Sequence, residues 1–141
     1  MTKSGDDSLK NFPFISLKNS LDLARIMTAI FFMAHAVVRI VNDTIPQFAT
    51  FMESIGFPNG VIFVWLITIA ELVSGTLLII NRCVRPASSI LFTIAFVGII
   101  LIHRHNGWFV GEHGTGGSEY SIALMILLII ISANDREKAR I

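Results

Sequence analysis

The sequence predicts an all-α membrane protein, a four-transmembrane-helix bundle with both chain ends on the cytoplasmic side and a short interfacial helix between helices 1 and 2. Three observations carry this. Of 141 residues, 53% are hydrophobic and 15% charged, with a mean hydropathy of +0.70, whereas soluble domains run near 45–50% apolar and about 25% charged. The apolar residues gather into four blocks, and the stretches between them hold most of the Gly, Pro, Asn and charge. Lys and Arg concentrate on alternate connections. The blocks lack the alternation of a barrel strand, and backbone groups in lipid must be paired within their own segment, so helices follow.

The first helix is expected at about 21–41. It follows a tail, 1–20, that carries Lys3, Lys10 and Lys18, and it contains Asp22, Arg25, His35 and Arg39. The tail does not read as a cleavable signal, because the apolar stretch starts only near Leu21, exceeds an h-region and lacks an A-x-A-like site. In the connection from Asn42 to Gly60, Phe48, Phe51, Met52 and Ile55 recur at helical spacing after Pro46 and before Gly56 and Pro58, which predicts the interfacial helix. Helix 2, at 61–80, has 20 residues with one charge, Glu71. Helix 3 is placed at 86–104, where Pro86 to Ile102 is uncharged. About 20 residues at 1.5 Å each cross a hydrocarbon core of roughly 30 Å. The fourth block has only 13 uncharged residues, Ser121 to Ala133. Helix 4, at 119–134, therefore draws Glu119 and Tyr120 into its first turn, and 135–141 forms a second tail.

Orientation follows from the positive-inside rule. Lys3, Lys10 and Lys18, then Arg82 and Arg85, then Arg136, Lys138 and Arg140 mark three cytoplasmic regions. The connections 42–60 and 104–118 hold Asp43, Glu53 and Glu112 against one Arg and belong outside. Trp65, Trp108 and Tyr120 fall near outer helix ends, where aromatic rings anchor at headgroup level.

Several function classes drop out. A formal net charge of +1 offers no basic surface for nucleic acid. The single cysteine, Cys83, closes no intramolecular disulfide and excludes dithiol chemistry by the chain alone. The glycine-rich stretch 106–118 lacks the Lys-Ser/Thr ending and preceding strand of a phosphate loop. His35, His103, His105, Glu112 and His113, with Glu71 and Glu119, offer metal donors for zinc or iron, but no H-E-x-x-H, helical Glu-x-x-His or C-x-x-C-H pattern organises them. No metal site is expected.

An ionisable group in a spanning helix is costly and normally faces the bundle interior or a watery cavity. At about 100° per residue, Arg25, His35 and Arg39 share an arc of roughly 80° on helix 1. Trp65, Thr68, Glu71 and Gly75 make a stripe on helix 2, and Ser89, Thr93, Phe96, Ile100 and His103 one on helix 3. Counted from the outer helix ends, Arg39 lies about 3 Å deep, His35 about 9 Å and Glu71 about 15 Å. The reading is a polar pocket in the outer half of the bundle that gathers His35, Arg39, Glu71, His103 and Glu119. Glu71, His103 and Glu119 are its candidate proton-transfer residues. His35, Arg39, Trp65 and His103 are its candidates for holding a cofactor. Glu71, too deep to snorkel, calls for a basic or hydrogen-bonding partner from an adjacent helix, with His35, Arg39 and His103 as the choices. The cofactor stays open between a quinone and a b-type haem held axially by His35 and His103. Arg25, at the inner end, reads as a structural anchor.

The order of these residues resembles the DoxX family of small bacterial membrane proteins. The likeness runs from about Leu21 to Ala133 and rests on Leu23-Ala24-Arg25, His35 with Arg39, Gly56-Phe57-Pro58, Trp65, Glu71, Arg85, and His103 before a glycine-rich loop and Glu119-Tyr120. Where relatives commonly carry Gly and Lys on helix 1, this chain has Ala36 and Arg39. The resemblance implies four membrane helices in the bacterial inner membrane and places Arg25, Glu71, His103 and Glu119 at recurring polar positions. It further implies a link to quinone-dependent oxidation, as a small subunit of a thiosulfate:quinone oxidoreductase or as a membrane partner of redox and detoxifying enzymes. Two functions stay open: a component of a quinone-linked oxidoreductase, working with a redox partner protein, and a non-catalytic scaffold or small-molecule permease. The lipid bilayer is a partner in both, and self-association into a homo-oligomer is compatible with either.

Overall fold

A computed structural model describes residues 12–102 and 117–139. Among the described residues five helices follow one another: α1 (Leu17–Val41), α2 (Ile45–Ser54), α3 (Gly60–Ile79), α4 (Val84–Leu101) and α5 (Ser118–Lys138). No strand occurs among the described residues. Four of the five are long and apolar enough to cross a membrane. Each buries only a narrow stripe. Ile62, Leu66, Ile69 and Val73 of α3, and Ile126, Ile129 and Ile130 of α5, are exposed, an apolar surface far larger than a water-soluble monomer carries. The fold is that of an integral membrane bundle.

α1 starts at Leu17, four residues before the apolar block, because the Ser16 side chain accepts from the Asn19 N–H at 3.2 Å and caps the first turn. α5 runs to Lys138, beyond its apolar run, and its charged last turn is tied to α4 by an Arg85–Asp135 ion pair at 3.4 Å. Asn81 and Cys83 take positive φ in the turn between α3 and α4, so α4 begins at Val84 and holds Arg85 in its first turn.

Around the bundle, α1 packs on α3 and α5, and α4 packs on α3 and α5. At the end bearing the α3–α4 turn the centre is closed. Ala29, Phe32, Leu78, Ala87, Leu91 and Leu128 form a tight core there. Gly75 permits the α1–α3 approach, since a Cβ there would run into the Met33 side chain and come 3.3 Å from the Ala29 carbonyl oxygen. Arg25, buried, donates to the Leu78 and Ile79 carbonyls. The Leu78 carbonyl also accepts from the Asn81 N–H at 3.1 Å, so Arg25 adds a charged donor to the last turn of α3. Arg25 is thus the anchor that its position suggested, a cation at a helix C-terminus.

At the opposite end α2 lies on α3 rather than on lipid alone. Ile45, Ala49 and Met52 are buried against Val64 and flanked by Phe48, Phe51, Phe57 and Phe63. Two details fix this seat. The Glu53 side chain accepts from the Gly60 N–H at 3.0 Å, capping α3 from a neighbouring helix. Gly60 lies so close beneath α2 that a Cβ would strike the Ala49 carbonyl. Ile55, counted in the helical spacing, lies just past the end of α2 and is exposed.

Candidate functional site

With the core confined to one half, the bundle opens in the other. A cavity of about 680 Å³ lies under α2 between α1, α3, α4 and α5. Its walls are apolar and aromatic, with Phe32, Phe48, Phe57, Phe63 and Tyr120 among them. Arg39 and Glu71 supply the charged groups of its lining.

Arg39, in the last turn of α1, turns into the bundle. Its Nη1 donates to Glu71 Oε2 at 2.9 Å and to Thr68 Oγ1 at 2.7 Å. Thr68 Oγ1 donates in turn to the Val64 carbonyl at 2.7 Å, the usual resort of a threonine hydroxyl inside a helix. The guanidinium carbon stands 5.3 Å from the Phe48 ring centroid, which places an α2 aromatic over the cation. Glu71 is only 4% exposed. The charge on one helix is therefore neutralised by the charge on the next, the condition under which buried ions are tolerated.

Of the residues expected to converge, His35, Arg39 and Glu71 line this one cavity. His35 faces α5, its ring 6.5 Å from Tyr120, and Tyr120 also meets Phe31 edge-on at 6.2 Å. Glu119 is half-buried and does not join the lining, because the cavity-facing side of α5 is Tyr120, Ser121 and Leu124. Trp65 is turned away. It is 42% exposed, about 100° around α3 from the side that buries Val64, Thr68 and Glu71, so its indole is on the lipid face and not at the cavity. His103 lies outside the described residues, and so do His105, Trp108, Glu112 and His113. On α4, Thr93 reaches the cavity while Ser89, Phe96 and Ile100 are exposed. The expected α4 stripe thus lies largely on the outer face, opposite Val84, Ala87, Ser88 and Leu91.

Phe48, Phe57, Phe63 and Tyr120 complete the site without having been singled out as site residues. The signal for three of them was present, a concentration of phenylalanines around Gly56-Phe57-Pro58. Phe57 and Phe63 meet edge-on at 5.1 Å across the entry to α3, and Phe48 stacks on Phe51 at 6.2 Å. No group of three or more His, Cys, Asp or Glu side chains suited to a metal ion occurs among the described residues.

The arrangement combines an apolar, aromatic-walled chamber with one set of strong donors and one carboxylate. That suits a flat ring carrying hydrogen-bond acceptors on an apolar tail. The volume falls in the range of small-molecule sites, roughly 300–1,000 Å³.

The DoxX family model matches residues 20–104. That segment takes in α1 from residue 20 onward, all of α2, α3 and α4, and both members of the Arg39–Glu71 pair, while α5 lies beyond it. No curated protein matches the chain. No solved structure matches it either.

Proposed function

The chain belongs to the DoxX family, and on that premise we propose that it is a component of a quinone-linked oxidoreductase system of the bacterial inner membrane, docking a quinone headgroup in the cavity beneath α2. The observation that carries this reading is the Arg39–Glu71–Thr68 cluster at the floor of an otherwise apolar, aromatic-walled chamber. A quinone ring presents carbonyl acceptors at its edge and apolar faces above and below. Arg39 has N–H groups beyond the Nη1 pair bonds to offer a carbonyl, and the phenylalanines match the faces. His35, which lines the same cavity beside Tyr120, is the candidate for the second carbonyl.

Reduction of a quinone to the quinol takes two electrons and two protons. The electrons come from a redox partner protein, and the protons pass through side chains of this chain. Glu71 is the proton-transfer group in this proposal, with Glu119 and His103 as candidates to relay from the loop side. The orientation belongs to the same reading. Both ends of the chain face the cytoplasm and the cavity lies in the outer half of the membrane, as the Lys and Arg distribution favours.

The satisfied geometry of the ion pair favours one second reading, a non-catalytic scaffold or permease in which Arg39 and Glu71 only join α1 to α3. Calorimetric titration of the purified protein in detergent with a short-tailed ubiquinone analogue separates the two. The proposal expects saturable binding that Arg39→Gln weakens at least tenfold. Absence of saturable binding to a folded wild-type protein overturns it.

A further inference from the structure

A second concavity lies at the other end of the molecule, outside the bundle, in the lipid-facing groove between α4 and α5. Its composition changes along its length. Near the α3–α4 turn it is lined by Arg85, Arg136, Ser88, Ser89 and Ser132, and further along the helices by Phe92, Leu128 and Ile129. Arg85 and Arg136 come from the first turn of α4 and the last turns of α5. Two cations converge there against one carboxylate, Asp135, which takes only the Nε of Arg85 at 3.4 Å.

Ser88 is the independent sign that the groove is made to hold something. Its side chain is 2% exposed, and its hydroxyl has no hydrogen-bond partner among the described residues. Its neighbours show the usual alternative. Ser89 donates to the Arg85 carbonyl at 3.0 Å and Thr93 to the Ser89 carbonyl at 2.9 Å, each back-bonding one turn along α4. A buried donor left unsatisfied is costly, more so where the surroundings are lipid.

We propose that this groove binds an anionic phospholipid, with the phosphate held between Arg85, Arg136 and the Ser88 hydroxyl and an acyl chain lying along Phe92, Leu128 and Ile129. The charge pattern selects a net-negative headgroup, and the polar-to-apolar sequence of the groove selects an amphiphile over a free ion. Basic pockets between spanning helices on the cytoplasmic side are suited to such headgroups. The charged end of the site faces the leaflet at the α3–α4 turn, and its apolar end reaches Thr93, which also lines the cavity under α2.

Thermal unfolding of the purified full chain in a mild non-ionic detergent tests this, with phosphatidylglycerol, phosphatidylcholine and inorganic phosphate added separately, alongside native mass spectrometry of retained lipid. Phosphatidylglycerol should raise the Tm, while phosphatidylcholine and inorganic phosphate should not. Arg136→Gln, an exposed position with no partner among the described residues, should cut phosphatidylglycerol retention about tenfold, the scale of one charge-assisted contact. Ser88→Ala should leave the lipid-free protein as stable or more so, since it removes an unsatisfied hydroxyl, yet lower the gain from lipid. Equal stabilisation by phosphatidylcholine, full stabilisation by inorganic phosphate alone, or unchanged retention in Arg136→Gln would each overturn the proposal.

Discussion

Replacing Glu71 distinguishes a helix clamp from a proton carrier. In Glu71→Gln the amide oxygen can occupy the place of Oε2 and still accept from Arg39 Nη1, so the 2.9 Å hydrogen bond survives but the neutralising charge does not. Arg39 then keeps Thr68 at 2.7 Å and the Phe48 face, both of which suit a cation. The expected loss is about 1–3 kcal/mol, the difference between a charged and a neutral partner for a buried guanidinium. Glu71→Ala removes the acceptor as well and leaves an uncompensated buried cation, for which about 3–5 kcal/mol is expected. Replacing both partners, Arg39→Met with Glu71→Leu, should recover most of that loss, because a buried pair exchanged for apolar groups of similar volume is often near neutral. Urea unfolding in detergent of the wild type, Arg39→Met, Glu71→Leu and the double variant gives the coupling energy. Additive single and double losses would refute the pairing in solution. Activity is the second axis: a proton carrier loses quinone reduction in Glu71→Gln at matched protein levels, since an amide cannot take up and release a proton. Turnover at the wild-type rate in that variant would end the assignment of proton transfer to Glu71, whatever the stability data say, and would move it to Glu119.

Other perturbations follow from single contacts. Gly60→Ala places a methyl against the Ala49 carbonyl and should lift α2 off α3 at a cost of about 1–3 kcal/mol, with weaker binding of the quinone analogue; an unchanged melting temperature would show that α2 is not seated there. Gly98 has no neighbour within 4 Å of an added Cβ and lines the cavity, so Gly98→Leu should abolish quinone binding while leaving thermal stability intact, and undiminished binding would place the ligand elsewhere. Arg25→Gln should destabilise by about 2 kcal/mol through loss of charge-assisted bonds to the Leu78 and Ile79 carbonyls, read by chemical denaturation. Cys83 is exposed in the α3–α4 turn; a membrane-impermeant maleimide should modify it only after intact cells are opened, and labelling from outside would reverse the orientation and the half of the membrane in which the cavity lies.

The four spans were readable because lipid imposes a length and a composition, and neither depends on neighbours. Helix ends were less so. The Ser16 cap sits among Lys18, Asn19 and Ser20, which break the apolar pattern, and α5 carries its charged last turn past the apolar run for the sake of Arg85 and Asp135. Periodicity put His35 and Arg39 on one face of α1 and Glu71 with Thr68 on one face of α3, and those four residues do lie about one cavity or its floor. Periodicity without a reference face misplaced Trp65, which shares the spacing of Thr68 and Glu71 but sits at the margin of the stripe. Glu119 and Tyr120 illustrate the same gap, since adjacent residues on a helix point about 100° apart and only the packing of α5 decides which one looks inward.

Counting along the helices put Arg39 among the partners for Glu71, although the two lie about 12 Å apart in depth along their axes. They meet through the reach of two long side chains, with Nη1 and Oε2 standing 2.9 Å apart, Arg39 coming from the end of α1 and Glu71 from the middle of α3. Its first turns are seated against α2, where Val64 packs with Ile45, Ala49 and Met52 and Glu53 caps the Gly60 N–H. Apolar residues close one half of the bundle, and the chamber lies in the other, with Phe63, Ile67 and Glu71 of α3 in its wall. The α2 segment, which a hydropathy reading treats as a surface feature, therefore supplies both the aromatic face over the Arg39 guanidinium and the roof of the cavity. A change that loosened α2 without touching Arg39 or Glu71 should weaken ligand binding and the pair together.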